Sequence, residues 1–221
     1  MGGTTSLPDY VRAKAYAVTR LQHELPPALL YHTAWHTCDE VAPRAEWLAL
    51  HEGLSQEAQI LIGTAAFYHD IGFTQGLKQH EKASAAIAME ILPRFNYTPA
   101  QIRLIVGMIM ATRIPQSART LLQQIVADAD LDVLGRSDFL VRNATLRAER
   151  AALGDDKPDE LWYPDQVRFL RQHRYFTATA RSQRQQGKQG NLRTLLEIIA
   201  ECCPQALGSP RSAPARSFAS P

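Results

Sequence analysis

Apolar residues recur at helical spacing along nearly the whole chain, and no run alternates apolar and polar residues for the length of a strand. Ser6-Leu7-Pro8 reads as a cap followed by a first-turn proline, opening a helix towards Glu24 that Pro26-Pro27 ends. A second helix is predicted from about Trp35 to His51, with Pro43 tolerated near its start or at a kink. Ser55 caps a third, with Gln56 and Glu57 in its first turn. Ile60, Leu61, Ile62, Ala65, Ala66 and Phe67 put apolar residues on almost every side of that third helix, so it is read as central. Gly72 then lets the chain leave it. Further helices are expected over 80–92, ended by Pro93, and over 98–112, with Thr98 as cap and Pro99 at the first helical position. One or two more fall in 115–134, ending at Gly135. Another starts at Ser137 or Asp138 and runs to Leu153, and the last two cover Pro164–Arg171 and Leu192–Cys202. The polar stretch 181–190 reads as an exposed turn, and the Pro-, Ser-, Ala- and Arg-rich tail after Pro204 as disordered. The fold class is all-α.

Length changes this picture little: 221 residues suffice for one domain with a real core and a small appendage. The formal charge of +2 is too small to argue for a nucleic-acid partner. Arg168, Arg171, Arg174, Arg181, Arg184 and Lys188 lack the aromatic interleaving of a single-strand binder and read as a solvated face. No apolar stretch is long enough to span a bilayer, and the first residues do not form a signal peptide. Met1-Gly2 with Ser6 fits the loose myristoylation pattern, but the expected location is the cytoplasm. Cys38, Cys202 and Cys203 have no paired spacing and are read as reduced and structural.

The chemistry concentrates in three places. His69-Asp70 closes the apolar run Ala65-Ala66-Phe67-Tyr68, where two polar groups are costly unless something satisfies both. A divalent cation would, since imidazole nitrogen and carboxylate oxygen both bind one. Upstream, His32 and His36 share a helix face. Downstream stands Asp128-Ala129-Asp130-Leu131-Asp132. Mixed nitrogen and oxygen donors without sulfur suit Mn, Mg, Fe, Ni, Co or Zn and select none of them. Taken singly, each group has a plainer reading: a satisfied core histidine, a chance neighbour pair, an aspartate-rich bend.

Taken in order, His36, then His69-Asp70, then Asp130, the groups resemble the HD superfamily of metal-dependent phosphohydrolases. "YHTAWHT" resembles its first histidine motif, "AAFYHDIG" its doublet, "HEKASA" the helix start after the doublet, and "VADADLDVLGR" its last aspartate motif. The resemblance implies an HD-domain helical bundle over 25–150. A helix over 1–24 would pack on it, with a C-terminal helical extension over 151–203 and the tail over 204–221. It makes His36, His69, Asp70 and Asp130 the metal ligands, with Asp128 the second choice for the last. Asp128 and Asp132 would otherwise support the ligands from behind. Asp70, His80 and His32 are the candidate catalytic residues, His32 as an acid for the leaving oxygen. Lys78, Lys82 and Arg113 are candidate phosphate contacts. The implied activity is hydrolysis of a small-molecule phosphate ester, a nucleotide or cyclic nucleotide by family habit. The alternatives are a non-catalytic nucleotide-binding regulatory module and a di-iron oxygenase. The apolar face of Leu192, Leu195, Leu196, Ile198 and Ile199 could pack on the domain or on a second copy.

Overall fold

The computed structural model describes residues 8–203 and 205 and, among these, holds nine α-helices and no strand. Ser6, the myristoylation pattern and the tail from 206 lie outside the described residues. The helices are α1 Tyr10–Glu24, α2 Ala42–His51, α3 Gln56–Tyr68, α4 His80–Ile91, α5 Pro99–Ala111, α6 Leu121–Asp130, α7 Phe139–Ala152, α8 Asp159–Gln172 and α9 Ala178–Cys202. None is long and apolar enough to cross a membrane.

Local signals account for most boundaries. Ser55 accepts from the Ala58 amide, and Thr98 forms a reciprocal capping box with Gln101. At the first helix the cap is Asp9, which accepts from the Arg12 amide, so α1 begins after Pro8 instead of around it. The predicted 35–51 helix is continuous but not uniform. His36–Val41 is a π turn, and α2 follows with Pro43 in its first turn. A proline ring clashes with the carbonyl four residues back, and a widened turn there relieves the clash.

α3 is the hub. Leu61 through Tyr68 are all buried, and α1, α2, α5 and α6 pack around it. The main core joins α1 to α6 and admits Tyr175 and Ala180 from the start of α9. A smaller core unites the Asp132–Gly135 turn with α7, α8 and α9 through Leu134, Phe139, Val167, Leu170, Leu195 and Ile199. The apolar face of α9 therefore packs on its own chain at Leu195 and Ile199.

Three expectations need correcting. Residues 181–190 form the middle of a 25-residue helix, not an exposed turn. Lys188 there is buried and Arg184 pairs with Asp132 at 2.8 Å, so these polar side chains have partners inside the molecule. α8 starts at Asp159 and carries Pro164 within it, while 113–119 is non-helical. Gly72 also serves a purpose beyond leaving the helix. A Cβ there would stand 2.1 Å from the His80 carbonyl oxygen, so glycine is what lets α4 dock.

Candidate metal centre and cleft

His36, His69, Asp70 and Asp130 converge from three elements onto one buried point. The π turn delivers His36, the end of α3 delivers His69 and Asp70, and the last residue of α6 is Asp130. His69 Nε2 lies 3.2 Å from Asp70 Oδ2 and 3.5 Å from Asp130 Oδ1. His36 Nε2 lies 3.6 Å from Asp130 Oδ1 and 3.9 Å from Asp70 Oδ2. Ligand atoms of His36, His69 and Asp130 all fall within 4.8 Å of one another.

The outward nitrogens are already engaged. His69 Nδ1 faces the Ala66 carbonyl at 2.7 Å, and His36 Nδ1 faces Glu40 Oε2 at 3.1 Å. With Nδ1 donating, each Nε2 can give up its proton and turn a lone pair to a cation at the centre, the arrangement a metal-ligating histidine needs. Glu40 is itself neutralised by Arg136 at 2.7 Å and Arg142 at 2.8 Å. Ser84 fixes the doublet from below: its hydroxyl donates to the His69 carbonyl at 2.6 Å and accepts from the Gly72 amide at 2.8 Å.

The donor set fits a cation. His69 Nε2 and Asp70 Oδ2 are buried and have no hydrogen-bond partner, a costly condition unless a cation satisfies both. Donors each about 2.1 Å from one ion stand roughly 3–4 Å apart, as each imidazole does here from both carboxylates. Electrostatics agree. Burial lowers His69, but Asp70 and Asp130 outweigh it and hold the imidazole well above its usual range. Burial raises Asp70, and His69 more than reverses this. The cluster thus favours positive charge at this site.

His80 and His32 border the same centre. His80 Nε2 lies 3.5 Å from Asp70 Oδ1, and its ring stacks on Phe73 at 4.0 Å. His32 Nδ1 meets Glu149 Oε1, while Glu149 Oε2 accepts from the Tyr31 and His32 amides at 2.7 and 2.9 Å. Glu149 is 2% exposed, and burial is outweighed by these partners, so its carboxyl sits below the usual range. Asp70, Asp130, His32 and His80 open into a cavity of about 670 Å³ between the main core and α7 and α8. Arg113, Arg150 and Lys157 stand in its polar wall, and Phe139, Trp162 and Phe169 in its apolar one.

Of the three predicted phosphate contacts, Arg113 lines this cavity. Lys78 and Lys82 are exposed and lie outside its lining. Asp128 points elsewhere: it accepts from the Phe176 and Thr177 amides and the Thr177 hydroxyl, each at 2.8 Å, and so seats the start of α9. Asp132 binds Arg44 at 2.6 Å and Arg184 at 2.8 Å. Neither supports the ligands from behind, because both are saturated by α2 and the C-terminal region. Glu40 and Glu149 went unrecognised in the sequence. A signal existed for both. Glu40 is one helical turn from His36, and Glu149 falls three residues after Leu146 and ten after Phe139, on the buried face of α7.

Comparison with known proteins agrees with this geometry. Residues 36–132 match the family model of the HD domain. A crystal structure described as a predicted HD superfamily hydrolase, from an uncultured Thermotogales bacterium, shares 19% identity. It covers 90% of this chain and 95% of its own, with a TM-score of 0.58. Bacillus subtilis YpgQ in complex with ADP shares 18% identity over 88% and 97% of the two chains, with a TM-score of 0.62. A Lactobacillus plantarum protein shares 16% over 87% and 96%, with a TM-score of 0.64. At these identities the likeness speaks for the fold, and it extends through the C-terminal helices. No curated protein matches the chain.

Proposed function

Because the chain carries an HD domain, we propose that it is a metal-dependent hydrolase of phosphate esters, with a nucleotide as its substrate class. The observation that carries this reading is the pair of buried atoms that make no hydrogen bond, His69 Nε2 and Asp70 Oδ2, with Asp70 in the lining of the cleft. His36, His69, Asp70 and Asp130 would hold the cation. When bound, a divalent ion supplies an acidified water and draws charge from a phosphoryl oxygen.

The remaining work falls to the chain's own groups. Arg113 is exposed on the cleft wall, has no ion pair among the described residues, and would bind substrate phosphate. Asp70 accepts the proton of the attacking water. The water oxygen bonds to phosphorus, the ester P–O bond breaks, and His32 gives a proton to the leaving oxygen. Glu149 orients His32 through Nδ1 and balances its charge. His80, against Asp70 and Phe73, is placed to bond a phosphoryl oxygen. Trp162, Phe139 and Phe169 offer apolar surface to a base, and the same fold in Bacillus subtilis YpgQ holds ADP.

The test is phosphate release from a nucleotide panel with Mn, Mg, Ni and Co, alongside metal content. His69→Ala and Asp70→Ala should lose at least about a hundredfold in turnover and most of the bound metal, with helical circular dichroism intact. Wild-type turnover in either variant sinks the assignment. A metal-free, inactive wild type that still binds nucleotide would favour the regulatory module. Oxygen uptake with Fe(II) would favour the oxygenase, for which His80 beside Asp70 is the supporting feature.

A further inference from the structure

A second cavity, of about 420 Å³, lies behind the catalytic cleft and shares Ile114, Leu131 and Phe169 with it as a partition. Its wall contains two buried polar atoms with no partner, His173 Nε2 and Gln116 Oε1. His173 is 9% exposed. Lys188, itself buried, stands behind it, with Nζ 2.6 Å from the His173 carbonyl oxygen and 3.4 Å from Nδ1. An ammonium can only donate, so Nδ1 accepts and the ring proton sits on Nε2, as an unmet donor. Gln116 donates its amide to the Ala127 carbonyl at 2.9 Å, which leaves Oε1 as an unmet acceptor. Burial, then Lys188, holds His173 down to about 4, so the ring is neutral and keeps this donor near pH 7.

The charge around the cavity is one-sided. Arg174 and Arg181 line it, Lys188 lies behind it, and no acidic residue is in the lining. Arg181 spends one nitrogen on the Tyr175 and Phe176 carbonyls. Arg174 is exposed and makes no hydrogen bond or ion pair among the described residues. The space exceeds what a few waters occupy, at about 30 Å³ each, and falls within the range of small-molecule sites.

We propose that this second cavity binds a small hydroxylated anion of the sugar-phosphate class. The lining holds a buried donor, His173 Nε2–H, and a buried acceptor, Gln116 Oε1, and a hydroxylated ligand answers both, where a fully ionised anion answers only the donor. A phosphate dianion matches the Arg174 and Arg181 guanidiniums in the lining. The site is separate from the catalytic cleft yet mechanically joined to it. Gln116 holds α6, the helix that ends in Asp130, so an occupant bonded to Gln116 stands one hydrogen bond away from the helix that carries that aspartate.

Calorimetric titration of the full chain with ribose 5-phosphate tests this, with ribose and inorganic phosphate as separate arms. Ribose 5-phosphate should bind more tightly than either part. Arg174→Ala should weaken binding about tenfold, roughly 1.4 kcal/mol, and His173→Phe should abolish it. Arg174 is exposed, so its variant folds even if the histidine variant does not. Arg113→Ala, in the other cleft, should leave this binding unchanged. No heat from the wild type at millimolar probe overturns the proposal. So does a loss in Arg113→Ala with Arg174→Ala unaffected, since that places the probe in the catalytic cleft. The titrations are run with EDTA present, so that turnover of the probe as a phosphate ester adds no heat and a failure of the proposed hydrolysis leaves this test unaffected.

Discussion

Glu149 shows how much one buried carboxylate can hold. It accepts from two backbone amides and from His32, and α7 contributes it from beyond the matched domain. Glu149→Ala leaves three donors unmet, the Tyr31 amide among them buried, and is expected to cost about 3–5 kcal/mol in urea unfolding. Glu149→Gln keeps an acceptor, so it should fold and lower turnover about ten- to a hundredfold by loosening His32. His173 sets a pH dependence of stability. Unfolded, it binds its proton near 6.5; folded, burial and Lys188 lower this to about 4. Below pH 6.5 the unfolded chain therefore gains a proton that the folded chain refuses. The stabilisation is complete above pH 6.5 and is lost as pH falls towards 4, roughly 3 kcal/mol in all. Thermal midpoints should fall across that window in the wild type, and His173→Leu should remove that component of the slope.

Among the helices, α9 gives the sharpest contrast. Two of its glycines look alike in sequence and differ in surroundings. A Cβ on Gly187 would stand 2.1 Å from the Gly135 carbonyl oxygen, whereas a Cβ on Gly190 meets nothing within 4 Å. Gly190→Ala should raise stability by about 0.5–1 kcal/mol through helix propensity alone. Gly187→Ala should lower it by at least about 2 kcal/mol, because α9 must lift off the Asp132–Gly135 turn. Equal effects from the two substitutions in a denaturation series would contradict this packing. The helices at 56–68, 80–91 and 99–111 were readable because their signals are local: a capping side chain, a first-turn proline, a run of apolar residues. The 181–190 stretch was misread for the opposite reason. Gln183 bonds Arg44, Arg184 bonds Asp132 and Lys188 bonds the His173 carbonyl. Polar side chains with distant internal partners carry the same signature in one dimension as polar side chains in water.

Across the molecule, two cores are joined at a seam, and the cleft opens along it. Asp128 ties the seam by holding the start of α9 with three hydrogen bonds. Asp128→Ala should cost about 3 kcal/mol and speed amide exchange in α9 ahead of α3, as a local opening would. The order His36, His69-Asp70, Asp130 and the all-helical class were written in the chain, since side-chain chemistry and helical period are properties of residues and their spacing. Folding alone brought Asp130, and not Asp128, beside His36 and His69, engaged Glu40 and Glu149, and left Lys78 and Lys82 in solvent. It also brought Gln116 and His173 into the lining of one hollow. Those outcomes depend on which side chains meet across long stretches of chain, and spacing along a polymer does not encode direction in space.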